Sequence, residues 1–202
     1  MDPSISREEF FEYKFDVEYS RESILADVRN KYLKELNREK IPEEYLPALE
    51  LIKSWNLRAD SSNTAAALSI LTLPNAFRIE DLKFDTDSIN IKLKESISFL
   101  EKNFGSIEVP LGRVNRLLRG NTSLPLSGGP GTLRAVYSKK SGKVYKAVAG
   151  DCYIQAVEWG PDGQLNAWSV HQYGSSTNDK SSPHYDDQSK LFSKHEMKQI
   201  RP

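Results

Sequence analysis

The sequence contains a single cysteine, Cys152, among its 202 residues. One thiol closes no internal disulfide and completes no zinc site. An excess of charge of one sign is missing as well, since 28 Lys and Arg balance 28 Asp and Glu. A neutral chain lacks the broad positive field that non-specific nucleic-acid binding needs, so no nucleic-acid partner is expected. Long apolar runs are also absent. The longest, Thr64 to Leu73, is about half of the roughly 20 residues in a membrane span, so no membrane partner is expected either. Met1-Asp2-Pro3-Ser4 is acidic and leads into no apolar core, unlike a secretory signal, and the compartment stays open. What is present is a globular composition: 38% hydrophobic residues with no net charge, outside the range of most disordered chains.

The apolar residues fall into two grammars. Over residues 1–105 they recur at helical spacing. Ile24, Val28, Tyr32 and Leu36 predict a helix over Arg21 to Leu36 with Ser20 as N-cap. A second helix is expected after Pro42, with Leu46, Leu49, Ile52 and Trp55 on one face; a third runs from Ser62 to about Leu73, stopped by Pro74. A fourth spans about Asp87 to Phe104 and ends at Gly105. Over residues 106–202 glycine and proline punctuate the chain and the period shifts toward two. Strands are predicted over Thr132 to Tyr137, over Lys143 to Trp159 with an interruption at Gly150, and over Leu165 to Tyr173. Turns are placed at 138–142 and 160–163. The expected fold is α+β, a helical first half followed by an antiparallel strand meander, with an extended tail from Gly174 packed over the sheet.

Residues able to do chemistry are few. His184-Tyr185-Asp186-Asp187 is the densest polar cluster, in which a carboxylate beside an imidazole could orient a general base; in an extended segment His184 and Asp186 share a face, and a nucleophile would have to come from elsewhere in the fold. His171 and His195 lack neighbours at metal-ligand spacing and read as structural or solvated. Asp85/Asp87 and Glu43/Glu44 suit the positive ends of helices better than acid catalysis. Ser127-Gly128-Gly129-Pro130-Gly131 leads into a strand and no Gly-Lys-Ser/Thr follows, so it reads as a shaped turn and not a phosphate loop. Arg113, Arg116 and Arg119 fall at helical spacing and read as a salt-bridged or sheet-edge face. Cys152, inside a strand candidate, reads as a small buried hydrophobe. No metal and no cofactor is indicated.

Six segments, in order and spanning nearly the whole chain, resemble the C-terminal part of the penicillin acylase (penicillin amidase) family, acyl-homoserine lactone acylase branch. They are Phe10 to Asp16 with Tyr19-Ser20, Trp55 to Asp60, Arg113 to Arg116 with Gly120, Leu124 to Ala135, Gly150 to Tyr153, and Ser182 to Gln188 before Phe192. The resemblance implies an N-terminal-nucleophile hydrolase with an αββα sandwich. Its serine is freed by self-cleavage and, with its own α-amine as base, hydrolyses N-acyl amides such as β-lactam side chains or acyl-homoserine lactones.

In that family the serine, the oxyanion-hole groups and their assisting asparagine and arginine lie upstream of the matched region, and no position here corresponds to them. Ser4, Ser106 and Ser175 are poor replacements: helix follows the first, a Pro110-containing turn the second, and the third lies too near the end. The expectation is therefore one region, 1–202, forming part of the sandwich, with no catalytic residue of its own and inactive alone. Its partner would be the upstream part of the same amidase or a second copy. A stand-alone, non-enzymatic binding or structural domain derived from the family is the alternative. Relatives are typically periplasmic or secreted.

Overall fold

A computed structural model describes residues 4–36, 41–74 and 84–200. The helical half packs around one core. Helix α1 (Arg7–Lys14) opens with a reciprocal cap, in which the Glu9 N–H donates to Ser6 Oγ (3.2 Å) and the Ser6 N–H donates to Glu9 Oε2 (2.8 Å). Sequence periodicity missed this helix because it buries no residue and so has no apolar stripe. Helix α2 (Ile24–Glu35) is capped by Ser23, not Ser20, and starts three residues later than predicted. Ser20 instead accepts from the Glu22 N–H within the preceding turn. A single 3-10 turn, Glu43–Tyr45, leads into α3 (Leu46–Ser54), which carries Pro47 in its first turn, where no amide is needed.

Helix α4 (Ala66–Thr72) is shorter than predicted. Asn63 Oδ1 accepts from the Ala65 and Ala66 N–H groups and sets its start. Helix α5 (Thr86–Phe104) follows the prediction to within a residue: Asp85 accepts at its N-terminus, and Gly105, at φ 77°, closes its C-terminus. Tyr32, Leu49, Ile52, Leu68, Leu93 and Leu100 are fully buried between these helices. The Tyr32 hydroxyl donates to Asn90 Oδ1 (2.8 Å), and burial pushes its pKa up to about 12.

The second half is not a single meander. After the one-turn helix α6 (Leu111–Val114), strands β1 (Asn115–Arg119), β2 (Thr122–Pro125), β3 (Val136–Ser141) and β4 (Val144–Gly150) form a sheet in the order β2-β1-β4-β3. Its central pair, β1 and β4, is parallel. Strands β5 (Tyr153–Trp159), β6 (Leu165–His171) and β7 (Lys198–Ile200) form a separate antiparallel sheet.

The predicted strand over Lys143 to Trp159 is therefore two strands in two sheets. Gly150 has φ +117°, and a Cβ there would lie 2.1 Å from the Ala135 carbonyl oxygen, so only glycine turns the chain out of one sheet toward the other. Residues 132–135, expected as strand, belong to the glycine-rich turn; β3 begins at Val136 and runs through Lys139-Lys140 to a tight turn at Gly142. The predicted turn at 160–163 is present, closed by the Gly160 N–H donating to the Gln164 carbonyl (2.8 Å). The tail from Gly174 is not extended throughout: it holds α7 (Ser189–Ser193) and β7, and Phe192 joins Leu117, Leu126, Val136, Ile154 and Val170 in a second core. The architecture is α+β, helices first and sheets after. Among the described residues no helix is long and apolar enough to cross a membrane.

Candidate functional site

The polar cluster His184 to Asp187 sits in a surface loop beside the β1–β2 hairpin. His184 Nδ1 lies 3.0 Å from Asp187 Oδ2, and the imidazole is 63% exposed. Asp186 accepts a hydrogen bond from the Thr122 hydroxyl. The Tyr185 ring lies under the Arg119 guanidinium, 3.8 Å from its centroid, and the same guanidinium donates to the Ser176, Thr177 and Tyr185 carbonyls. Ser182 Oγ accepts from the His184 backbone N–H (3.2 Å). The cluster thus holds an oriented imidazole–carboxylate pair in solvent, with the loop clamped by Arg119 and Thr122, and no hydroxyl or thiol hydrogen-bonds the ring among the described residues.

This cluster is the sixth motif segment; the other five, together with Phe192, converge elsewhere. Tyr19 packs edge-on against Trp55 (5.6 Å between rings), its N–H donates to the Leu57 carbonyl (2.9 Å), and the Ala59 N–H returns to Val17 (2.9 Å). The glycine-rich turn closes on this pair of segments, with the Gly128 N–H donating to the Ala59 carbonyl (2.8 Å) and the Ser61 N–H to Ser127 Oγ (2.9 Å). A Cβ on Gly129 would lie 2.2 Å from the buried Tyr19 hydroxyl, and one on Gly128 would lie 2.2 Å from the Arg134 carbonyl at φ +103°. At Gly128, where the contact is with backbone at a positive φ, only glycine fits; at Gly129 a side chain would have to displace the buried Tyr19 ring. The Gly112 N–H donates to the Ser61 carbonyl (2.7 Å), which brings the Arg113–Arg116 segment to the same place.

At the centre is Arg134. Its N–H donates to the Asp16 carbonyl (2.9 Å), Nη1 lies 3.2 Å from Asp151 Oδ2, and Nη2 donates to the Phe192 carbonyl (3.2 Å) above the Phe192 ring. Lys14 Nζ adds a second cation to Asp151 at 2.8 Å. Burial pulls the Arg134 pKa down, and the Asp151 charge opposes that shift.

A profile of the penicillin amidase family matches residues 2–201 of the chain, a span that contains all of these segments. The chain belongs to the penicillin amidase family. Membership points to an amidase-like function. No curated protein matches it individually. In this family member five of the motif segments do packing work: each is held to another by a backbone hydrogen bond or by the Arg134 ion pair.

The remaining sequence-level sites separate. His171 packs against Tyr153 at the end of β6, the rings 5.1 Å apart and tilted by 47°. His195, at φ 62°, stacks flat on Phe15 (5.1 Å, 4°) with a buried, unpartnered Nε2, and burial together with the Arg134 charge lowers its pKa to about 4. Cys152 is exposed in the link after β4, which corrects its reading as a buried hydrophobe; the Gly150 turn takes it out of the sheet. Arg113 lies on α6 and Arg116 and Arg119 on β1, so they form no single helical face; Arg116 and Arg119 are spent on backbone carbonyls. Among the described residues, no group of three His, Cys, Asp or Glu is placed to hold a metal ion.

The central role of Arg134 was missed in the sequence. Its signal was the conjunction of a lone arginine after a glycine-rich turn with an aspartate just past a Gly150 break.

Proposed function

We propose that this chain is the C-terminal portion of an N-acyl amide hydrolase of the acyl-homoserine lactone acylase branch. In this reading it supplies helices and sheet to an αββα core, while the nucleophilic serine, freed by self-cleavage, lies on another part of the enzyme. The substrate class is an N-acyl amide, a β-lactam side chain or an acyl-homoserine lactone. The observation that carries the reading is the match over residues 2–201 together with the way five of the six motif segments are consumed in packing. The His184–Asp187 pair, exposed and without a hydroxyl on its ring among the described residues, supports it.

The partner in this reading is the upstream part of the same amidase, with a second copy as the other occupant. Tyr153, Val157, Trp159 and Leu165 are exposed large apolar residues on β5 and β6, and β5 is an edge strand. Such a face with unpaired backbone alongside is normally covered. The test is turnover of a chromogenic phenylacetyl amide and of a long-acyl amide by the 202-residue chain. The expected result is no turnover above the uncatalysed rate; turnover abolished by a serine-directed acylating agent would overturn the reading.

A further inference from the structure

The cleft between the helical half and the β3–β4 hairpin carries no role in the amidase reading, and its two parts differ in chemistry. The inner part, about 230 Å³, lies between α4, α6 and the Gly128–Pro130 turn, with Ile70, Leu111, Val114 and Val136 on its walls. The outer part, about 680 Å³, lies between α5 and the Lys140–Gly142 turn. Leu71, Lys92 and Tyr145 line both, so the two parts adjoin at these residues.

Charge is concentrated at the outer part. Lys92, Lys102 and Lys140 face it with Glu95 as the single carboxylate, an excess of two positive charges in a chain whose net charge is zero. Glu95 is paired with Lys92 at 2.7 Å. Lys140 lies over the face of Phe99, 5.0 Å from the ring centroid, and neither it nor Lys102 has a carboxylate partner among the described residues. Tyr145 stands edge-on to Phe99 (5.2 Å) at the junction. Apart from Lys92 and Tyr145, which stand where the two parts adjoin, the polar side chains of the inner part are Asn115 and Ser138, hydrogen-bonded to each other, so the walls away from the junction are apolar with their polar groups satisfied.

We infer that this cleft binds a small amphipathic anion, its alkyl or single-ring body in the inner chamber and its carboxylate, or an equivalent anionic head, among Lys92, Lys102 and Lys140. A pocket with apolar walls and a few convergent polar groups selects ligands with that division. The orientation is fixed because an anionic head is too costly to desolvate against the inner walls, while the lysine ammonium groups remain in solvent and offer charge-assisted contacts. A cationic head meets the same lysines as repulsion.

The experiment is calorimetric titration of the full chain with sodium butyrate, hexanoate and octanoate below their micellar concentrations, beside 1-octanol and octylammonium. Octanoate is expected to bind saturably at one site. Removing two methylenes should weaken binding roughly tenfold, following the burial of each CH₂. Lys102→Glu/Lys140→Glu, two exposed positions, should weaken octanoate at least about tenfold while the thermal unfolding curve stays in place; Ile70→Trp should block the inner chamber. Octylammonium binding as well as octanoate, a chain-length series with no trend, an unchanged affinity in the double lysine variant, or no saturable binding would each overturn the inference. None of these outcomes depends on whether the chain hydrolyses amides.

Discussion

Arg134 and Asp151 form an ion pair in which the guanidinium is entirely buried and the carboxylate only 19% exposed, with Nη1 3.2 Å from Oδ2. The pair joins the glycine-rich turn to the link between the two sheets, and through the Asp16 and Phe192 carbonyls it also ties down the first helix's exit and the tail. A cation this deep is tolerated only while its partners stay in place. Asp151→Asn is therefore expected to cost about 3 kcal/mol or more, because it leaves a buried charge uncompensated. Arg134→Met should cost less than Asp151→Asn, since it removes the charge along with the pairing. Urea unfolding of the two variants gives the ranking.

Glycine is required at the same junction for steric reasons. Gly128→Ala and Gly150→Ala would each place a Cβ within about 2.2 Å of a backbone oxygen at a positive φ, and each should destabilise by more than about 2 kcal/mol. Gly142 has φ +61° but nothing within 4 Å of the would-be Cβ, so Gly142→Ala should cost only about 1 kcal/mol. Thermal melting of the three variants separates crowding from backbone strain.

His195 makes stability depend on pH. Its pKa falls from an ordinary value near 6.5 to about 4 in the fold, so between those values the unfolded chain binds the proton that the folded chain refuses. The contribution is intact above pH 6.5 and is lost as pH falls toward 4. His195→Gln should flatten that part of the stability profile, read from denaturant midpoints at pH 4.5, 5.5 and 7.

Trp159 is 71% exposed, whereas Trp55 is buried and Trp168 is half-buried against Phe11. A neutral quencher should reach the Trp159 indole readily in the isolated chain. Covering the β5–β6 face with the rest of the amidase should protect it, and Trp159→Ser should remove most of the quenchable emission.

The helices were legible because their signals are local. Ile89, Leu93, Ile97 and Leu100 between Asp85 and Gly105 define α5 almost to the residue. Helix α1 was illegible because its exposed Phe10 and Tyr13 form no core stripe. Strands β1 and β2 are four or five residues long and arginine- or serine-rich, and the parallel pairing of β1 with β4 depends on the chain's return through the Leu126–Ala135 turn, which no local pattern encodes. Of the candidate site, the alternation of an extended segment put His184 and Asp186 on one face; the loop instead turns, pairing His184 with Asp187 and leaving Asp186 to accept from Thr122. The Arg134–Asp151 contact spans 17 residues and the whole β3–β4 hairpin, and it is specified by burial that only the assembled fold creates.

In the proposed reading this amidase-family chain scaffolds a reaction whose nucleophile lies elsewhere. The decisive measurement is the intact mass of the 202-residue chain after incubation with a serine-directed acylating agent. The mass should be unmodified under conditions that label a serine hydrolase completely. A single stoichiometric adduct on one of the chain's own hydroxyls, lost in His184→Ala, would contradict it.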